Sequence, residues 1–167
     1  QQTIGLRADE NHYDRLIVSR PIQPLGKDIG FLPGTMEEKM APWVRPIYDI
    51  LYNFIHPKDV TTLLEDKTIE ISPLGFMRGR TFKNCWIIAD EMQNSTVSQM
   101  KMLLTRLGES TRLVVTGDLD QHDRHDEING LDDFLNKFKG KRSCSITSVE
   151  FDNDDIQREE VVKEVLE

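Results

Sequence analysis

Nowhere in these 167 residues is there a G-x-x-x-x-G-K-[ST] run, so no loop of the chain reads as a backbone cradle for a triphosphate. Cysteine is scarce: only Cys85 and Cys144 are present, far apart, which excludes a disulfide framework or a zinc ribbon and suits a reducing compartment. No apolar run approaches the roughly eighteen residues of a bilayer span, and Gln1 onward shows no signal-peptide pattern. The chain therefore reads as cytoplasmic, with no membrane partner. Basic residues are outnumbered, 21 against 29, for a net charge of −8. Such a balance argues against a surface coated for non-specific nucleic-acid binding, although a local basic groove is compatible with it. Internal repeats and low-complexity tracts are absent too, and the length corresponds to one domain with a substantial core.

What the chain does have is a pair of short apolar runs that each end abruptly in acid: CWIIADEMQN at 85–94 and RLVVTGDLDQ at 112–121. This is how a nucleotide hydrolase holds a magnesium ion beside a triphosphate. Ligands of open α/β sheets sit at the carboxyl ends of the strands, so Asp90, Glu91, Asp118 and Gln121 are expected to converge on one rim.

Strands and helices alternate around these segments, the mark of a parallel sheet covered by helices. Leu16–Ser19 is the first strand expected, followed by a loop punctuated from Pro21 to Gly34. Thr35 and Glu38 form a capping box that opens a helical stretch in which Met40, Trp43, Ile47, Ile50, Leu51 and Phe54 make one apolar face. Pro42 and Pro46 predict a break near its start, giving a short helix and then a longer one. A minor strand is expected over residues 68–72, a basic glycine-punctuated loop over Gly75–Arg80, and the central strand over Trp86–Ala89, with Cys85 as a small core residue at its head. Thr96 and Gln99 then cap a helix that runs to Gly108 and buries Val97, Met100, Leu103, Leu104 and Leu107. Beyond it come a strand at Leu113–Thr116, a helix at Leu131–Phe138, a strand at Ile146–Phe151 and a terminal helix at Ile156–Leu166. Trp43 and Trp86 lie in apolar patterns and read as core rather than as base-stacking platforms.

Seven further stretches carry a resemblance: IVSRP at 17–21, GFLPG at 30–34, EKMAPWVRPIYD at 38–49, GFMRGRTF at 75–82, DEMQN at 90–94, LTRLGESTRLVVTGDLDQHD at 104–123 and NGL at 129–131. In that order they resemble the PhoH-like ATPase family, P-loop proteins related to superfamily 1 helicases, over nearly the whole chain. Met92, where the family usually has alanine, and His122, where it often has an apolar residue, are small departures. The resemblance implies a P-loop NTPase-type α/β fold with a mostly parallel sheet and helices on both faces. It also implies that a first strand and the phosphate loop lie ahead of the position of Gln1, so that this chain is a single PhoH-like domain without its amino-terminal strand and cradle. The implied activity is ATP hydrolysis with Mg²⁺, coupled to remodelling of single-stranded RNA, in an assembly that is often a ring. The alternative is an inert remnant or binding module that keeps the fold but cannot grip ATP.

Chemistry assigns roles within that frame. Asp90, at a strand end, suits Mg²⁺ held through water, and Glu91 is placed to orient or deprotonate the attacking water. The competing reading is an acidic pair that only caps the following helix. Gly117 permits a sharp exit from the next strand, Asp118 is expected to face the nucleotide, and Gln121 to hydrogen-bond the γ-phosphate or the water. Arg78 and Arg80 fit either contacts to phosphate or a nucleic-acid backbone, or a solvated basic loop. Arg158 fits a nucleotide sensor, an arginine finger across a subunit boundary, or a surface salt bridge. A nucleic-acid contact by Arg20 is implied by the resemblance alone. His122-Asp123-Arg124-His125-Asp126 packs four potential metal ligands together, yet no second cluster accompanies it, so it reads as a polar loop on the nucleotide side.

Overall fold

A computed structural model describes residues 13–22, 36–121, 128–152 and 155, with only the backbone for 36–39. The capping box of Thr35 and Glu38, the His122–Asp126 cluster, the terminal helix and Arg158 lie outside the described residues. The chain divides into two compact units, Gln1–Lys137 and Phe138–Glu167.

The first unit is an α/β fold. Its strands β1 (Arg15–Arg20), β2 (Ile69–Pro73), β3 (Cys85–Ala89) and β4 (Arg112–Val115) form one parallel sheet in the order β2-β1-β3-β4. β1 and β3 are central, and their sequences LIVS and CWIIA are almost wholly apolar because a central parallel strand is covered on both faces. Side chains alternate across the sheet. Ile17, Cys85, Ile87 and Ala89 point to one face, where they join Phe82, Met92, Met100, Leu103 and Leu131 in a core whose members are at most 7% exposed. The helices α3 (Val97–Leu104) and α4 (Gly130–Phe138) supply Met100, Leu103 and Leu131 to that core. Val18 and Ile69 lie on the opposite side, served by α1 (Met36–Tyr52) and α2 (Pro57–Glu65) through Trp43 and Val60.

α1 is one continuous helix, and the break expected near Pro42 and Pro46 does not occur. The two prolines are four residues apart and both exposed, so the carbonyls they leave without N–H partners face water, where the loss costs least. Its apolar stripe is shorter than expected. Trp43 is buried and Ile47 and Leu51 are half-buried, but Ile50 and Phe54 are 60% and 70% exposed: Ile50 sits beside that stripe rather than on it, and Phe54 follows the end of the helix. α2 has no counterpart in the sequence reading; the His56 side chain accepts the Lys58 N–H at 3.3 Å, Pro57 stands in its first turn, and Val60 is its one buried residue. The Gly75–Arg80 loop contains a 3-10 turn, Leu74–Met77, anchored by the buried Leu74 and Met77.

The capping box at the start of α3 forms as expected: Thr96 Oγ1 accepts the Gln99 N–H at 3.1 Å, and Gln99 Oε1 accepts the Thr96 N–H at 2.9 Å. α3 ends at Leu104, and Leu107 instead bridges to Phe82 and is 36% exposed. In the second unit the strand expected at Ile146–Phe151 is absent: residues 146–151 carry neither helix nor strand, and Val149 and Phe151 are 75% and 77% exposed. Ser143 Oγ takes the N–H groups of Ser145 and Ile146, so a local turn competes with strand pairing at its start. No described helix is long and apolar enough to cross a membrane.

Candidate functional site at the carboxyl ends of the central strands

β1 connects through α1 and α2 to β2 on one side, whereas β3 connects through α3 to β4 on the other. The connections diverge between β1 and β3, which makes this gap the topological switch point where ligands of open α/β sheets bind. Asp90 and Glu91 leave the carboxyl end of β3 beside it, and Arg20 ends β1 on its other edge.

The ladder continues past the strand ends and holds this rim in place. The Asp90 N–H donates to the Ser19 carbonyl at 2.8 Å, the Thr116 N–H to the Ala89 carbonyl at 2.9 Å, and the Met92 N–H to the Thr116 carbonyl at 3.0 Å. Thr116 Oγ1 also donates to Asp90 Oδ1 at 2.6 Å, which orients the carboxylate. Glu91 then adopts left-handed backbone at φ 55°, a conformation costing about 1–2 kcal/mol in a residue with a side chain. That reversal drops Met92 and Gln93 into the interior, 0% and 1% exposed, and leaves the Glu91 side chain half-exposed at the rim.

Gln93 is the residue that sequence reasoning missed. Its Nε2 donates to Glu91 Oε2 at 2.5 Å, and its Oε1 accepts the Asp118 N–H at 3.1 Å. One buried amide thus ties the acidic turn after β3 to the loop after β4. Only this orientation of the amide serves, since turning it over would set oxygen against carboxylate and NH₂ against N–H. Gly117 is required by the same contact: a Cβ there would lie 2.9 Å from Gln93 Oε1 and 2.6 Å from Leu131 Cδ2. An amide residue two positions after the strand-end acids is the signal that existed, but its burial and its two partners are set by tertiary structure.

The other expected residues are distributed as follows. Asp118 is exposed, and its Oδ1 accepts the Asp120 N–H at 3.0 Å; Gln121 closes the short 3-10 turn Leu119–Gln121, its own N–H donating to the Asp118 carbonyl at 3.2 Å. Asp90, Glu91, Asp118 and Gln121 therefore stand on two adjacent loops at one end of the sheet. Burial pulls the Arg20 guanidinium below its ordinary range, while the charges of Asp90 and Glu91 oppose the shift. The guanidinium also lies 5.2 Å from the centre of the Trp43 ring. Ser19, next to it, is fully buried with an unpartnered hydroxyl. Arg78 is exposed. Arg80 is elsewhere: it grips Glu70 in a bidentate pair at 2.5 and 2.9 Å and lies over Phe82 at 4.6 Å. Glu70 is registered on Ile17, three positions short of the strand-end rim and one strand further out.

Among the described residues no group of three His, Cys, Asp or Glu side chains is arranged to enclose a metal ion. The donors at the rim are hard oxygens, the Asp90 carboxylate and the Thr116 hydroxyl, which suit a cation that keeps most of its water.

The model of the family described as PhoH-like protein matches residues 4–167. The chain belongs to the PhoH-like protein family. It is 41% identical to Protein PhoH of Escherichia coli K12 over 156 residues, 92% of this chain and 44% of that protein. A PhoH-like protein of Bacillus subtilis is 39% identical over 157 residues, 93% of this chain and 49% of that protein. Another from Synechocystis is 50% identical over 113 residues, 68% of this chain and 34% of that protein. The chain spans half or less of the curated relatives it matches. The PhoH-like residues with side chains at the switch point are Arg20, Asp90 and Glu91, tied to the β4 loop by Thr116 and Gln93.

Proposed function

We propose that this chain supplies the acidic rim of a Mg²⁺-dependent ATP-hydrolysing site whose turnover is coupled to remodelling single-stranded RNA. The observation that carries the reading is the acidic pair at the switch point, roped to the β4 loop by Gln93. Asp90 and the Thr116 hydroxyl would hold a hydrated Mg²⁺, which when bound offsets the charge of the phosphates. Glu91, turned outward by its left-handed backbone, takes the proton of a water that attacks the γ-phosphorus as ADP departs. Gln121 and Asp118, on the loop that Gln93 ties to Glu91, are placed to respond when the γ-phosphate is lost. Arg20 and Arg78 are the residues offered for RNA phosphates; Arg80 is committed to Glu70 and contributes to that loop's shape first. In a ring of copies, Arg158 is the candidate to reach a neighbour's nucleotide. The 167 residues contain no phosphate-gripping loop, so the chain by itself is expected to bind ATP weakly.

The test joins this chain to a phosphate-binding loop and measures phosphate release beside nucleotide affinity. Glu91→Gln should abolish turnover and leave ATP binding largely intact, whereas Asp90→Asn should weaken both. Unchanged hydrolysis in Glu91→Gln would mean that the acidic pair is structural.

A further inference from the structure

A cavity of about 810 Å³ lies along the outer strand β2, bounded by α1 and α2. Arg15 and Ile69, which begin β1 and β2, line it, whereas Arg20 and Asp90 stand at the carboxyl ends. Arg20, Asp90 and Glu91 do not line it, and from Arg15, which does, to Arg20 the strand advances roughly 16 Å. The volume falls within the range of roughly 300–1,000 Å³ that holds small organic ligands.

Its charge is unlike that of the molecule. In a chain of net charge −8, four cations, Arg15, Arg45, Lys67 and Arg80, line this space against one carboxylate, Glu70, among the described residues. Glu70 is consumed by the bidentate Arg80 pair, with Arg15 at 3.6 Å, and that contact holds its carboxyl below the ordinary carboxylate range. Arg45 and Lys67 form no ion pair among the described residues, which leaves two positive charges facing one space. Lys67 is held there by a turn at φ 62°, two residues before β2. The remaining wall is apolar, from Val44 on α1 and Ile71 on β2. Two cations without a close ion pair among the described residues, Lys67 acting on Glu70 only at longer range, stand beside an apolar wall and match a dianionic phosphate on a flat or apolar body better than a monoanionic carboxylate.

We propose that this cavity is a second ligand site, for a small phosphorylated organic molecule of which a nucleoside monophosphate is the simplest form. The phosphate lies between Arg45 and Lys67, and the body of the ligand rests on the Val44 and Ile71 surface. The site does not rest on the ATPase reading.

The experiment titrates the ¹⁵N-labelled chain with AMP, in the absence of divalent metal, and follows amide shifts. Saturable shifts are expected at Arg45, Tyr48, Ile69 and Ile71, with adenosine at least ten-fold weaker than AMP. Arg45→Gln combined with Lys67→Gly should weaken AMP at least ten-fold; both side chains are exposed, and glycine retains the positive φ at 67, so the spectrum away from the cavity should be unchanged. The proposal is overturned by the absence of these shifts, by shifts confined to 90–94 and 116–119, by equal binding of adenosine, or by an unaltered affinity in the double variant. An oligoribonucleotide that perturbs the same amides more tightly than AMP would overturn the small-molecule assignment in favour of a strand.

Discussion

Replacing Gln93 with leucine keeps the volume of a side chain that is 1% exposed and removes both of its hydrogen bonds. The bond to the Glu91 carboxylate is charge-assisted, worth about 1.5–3 kcal/mol, and the bond from the Asp118 N–H about 1 kcal/mol. Leucine recovers part of this through burial, since it carries no polar group that needs a partner. A net loss of about 2–3 kcal/mol is expected, a large fraction of the roughly 5–15 kcal/mol that stabilises a domain. In urea this should lower the midpoint by about 1–2 M with the slope unchanged, since the surface exposed on unfolding stays the same. A second variant separates lost packing from lost hydrogen bonding. Gln93→Glu keeps an acceptor for the Asp118 N–H but sets a carboxylate against Glu91, and two carboxylates at hydrogen-bond distance cannot both stay ionised without cost. The shared proton raises the folded-state value of the pair, so the penalty is present at neutral pH and is relieved as pH falls. The stability of Gln93→Glu relative to the parent should therefore rise between pH 7 and pH 5. If Gln93→Leu unfolds within about 0.5 kcal/mol of the parent, or Gln93→Glu shows no such relief, the bridge is not what joins the two loops.

Three other outcomes are expected. Gly130→Ala should destabilise by about 2 kcal/mol in thermal or urea unfolding, because a Cβ at that position would lie 2.4 Å from the Thr96 carbonyl oxygen and 2.8 Å from Ser95 Oγ, where backbone must move. Thr96→Ala should cost about 1 kcal/mol by opening the capping box of α3, and Thr96→Ser should restore most of it. Glu70, held below the ordinary value by Arg80 first and by the charges of Arg15 and Lys67, contributes stability that is complete above the unfolded carboxylate range near 4.5 and is lost as pH falls through the lower folded value. Glu70→Gln should thus be destabilised by about 1 kcal/mol at pH 7 and converge on the parent in acid, and parallel stability curves down to pH 3 would refute the pairing.

Much of this protein is legible in its sequence because local rules act within a few residues. The runs LIVS, CWIIA and RLVV are apolar at strand length and end at acid or turn residues, so the strands, their parallel setting and the acidic carboxyl-terminal rim follow from composition and alternation. Thr96 and Gln99 are three apart, which is all that a capping box requires, and it forms. Asn129 and Gly130 show the limit: the Asn129 side chain caps α4 through the Leu131 N–H at 2.9 Å, a local event, but glycine is needed because α4 begins against the Thr96 backbone, which no neighbouring residue announces.

What only the tertiary structure decided concerns groups that are far apart in the chain. α1 stays whole through two prolines because both face water, and Ile50 and Phe54 are exposed while Ile47 and Leu51 are half-buried; periodicity alone cannot measure how wide a surface a partner offers. The ITSVEF segment alternates like a strand but pairs with nothing among the described residues, since β-structure depends on an edge supplied from elsewhere. Arg80, a candidate for phosphate by composition, is turned to Glu70 because β2 brings a carboxylate within 2.9 Å of it. Gln93 joins Glu91 to Asp118 across 25 residues of sequence, and that contact exists only because parallel pairing of β3 with β4 ends both strands at the same level. Sequence could name the acids at the rim through their strand-end positions; the amide that couples them is defined by long-range register, which arises when the sheet assembles.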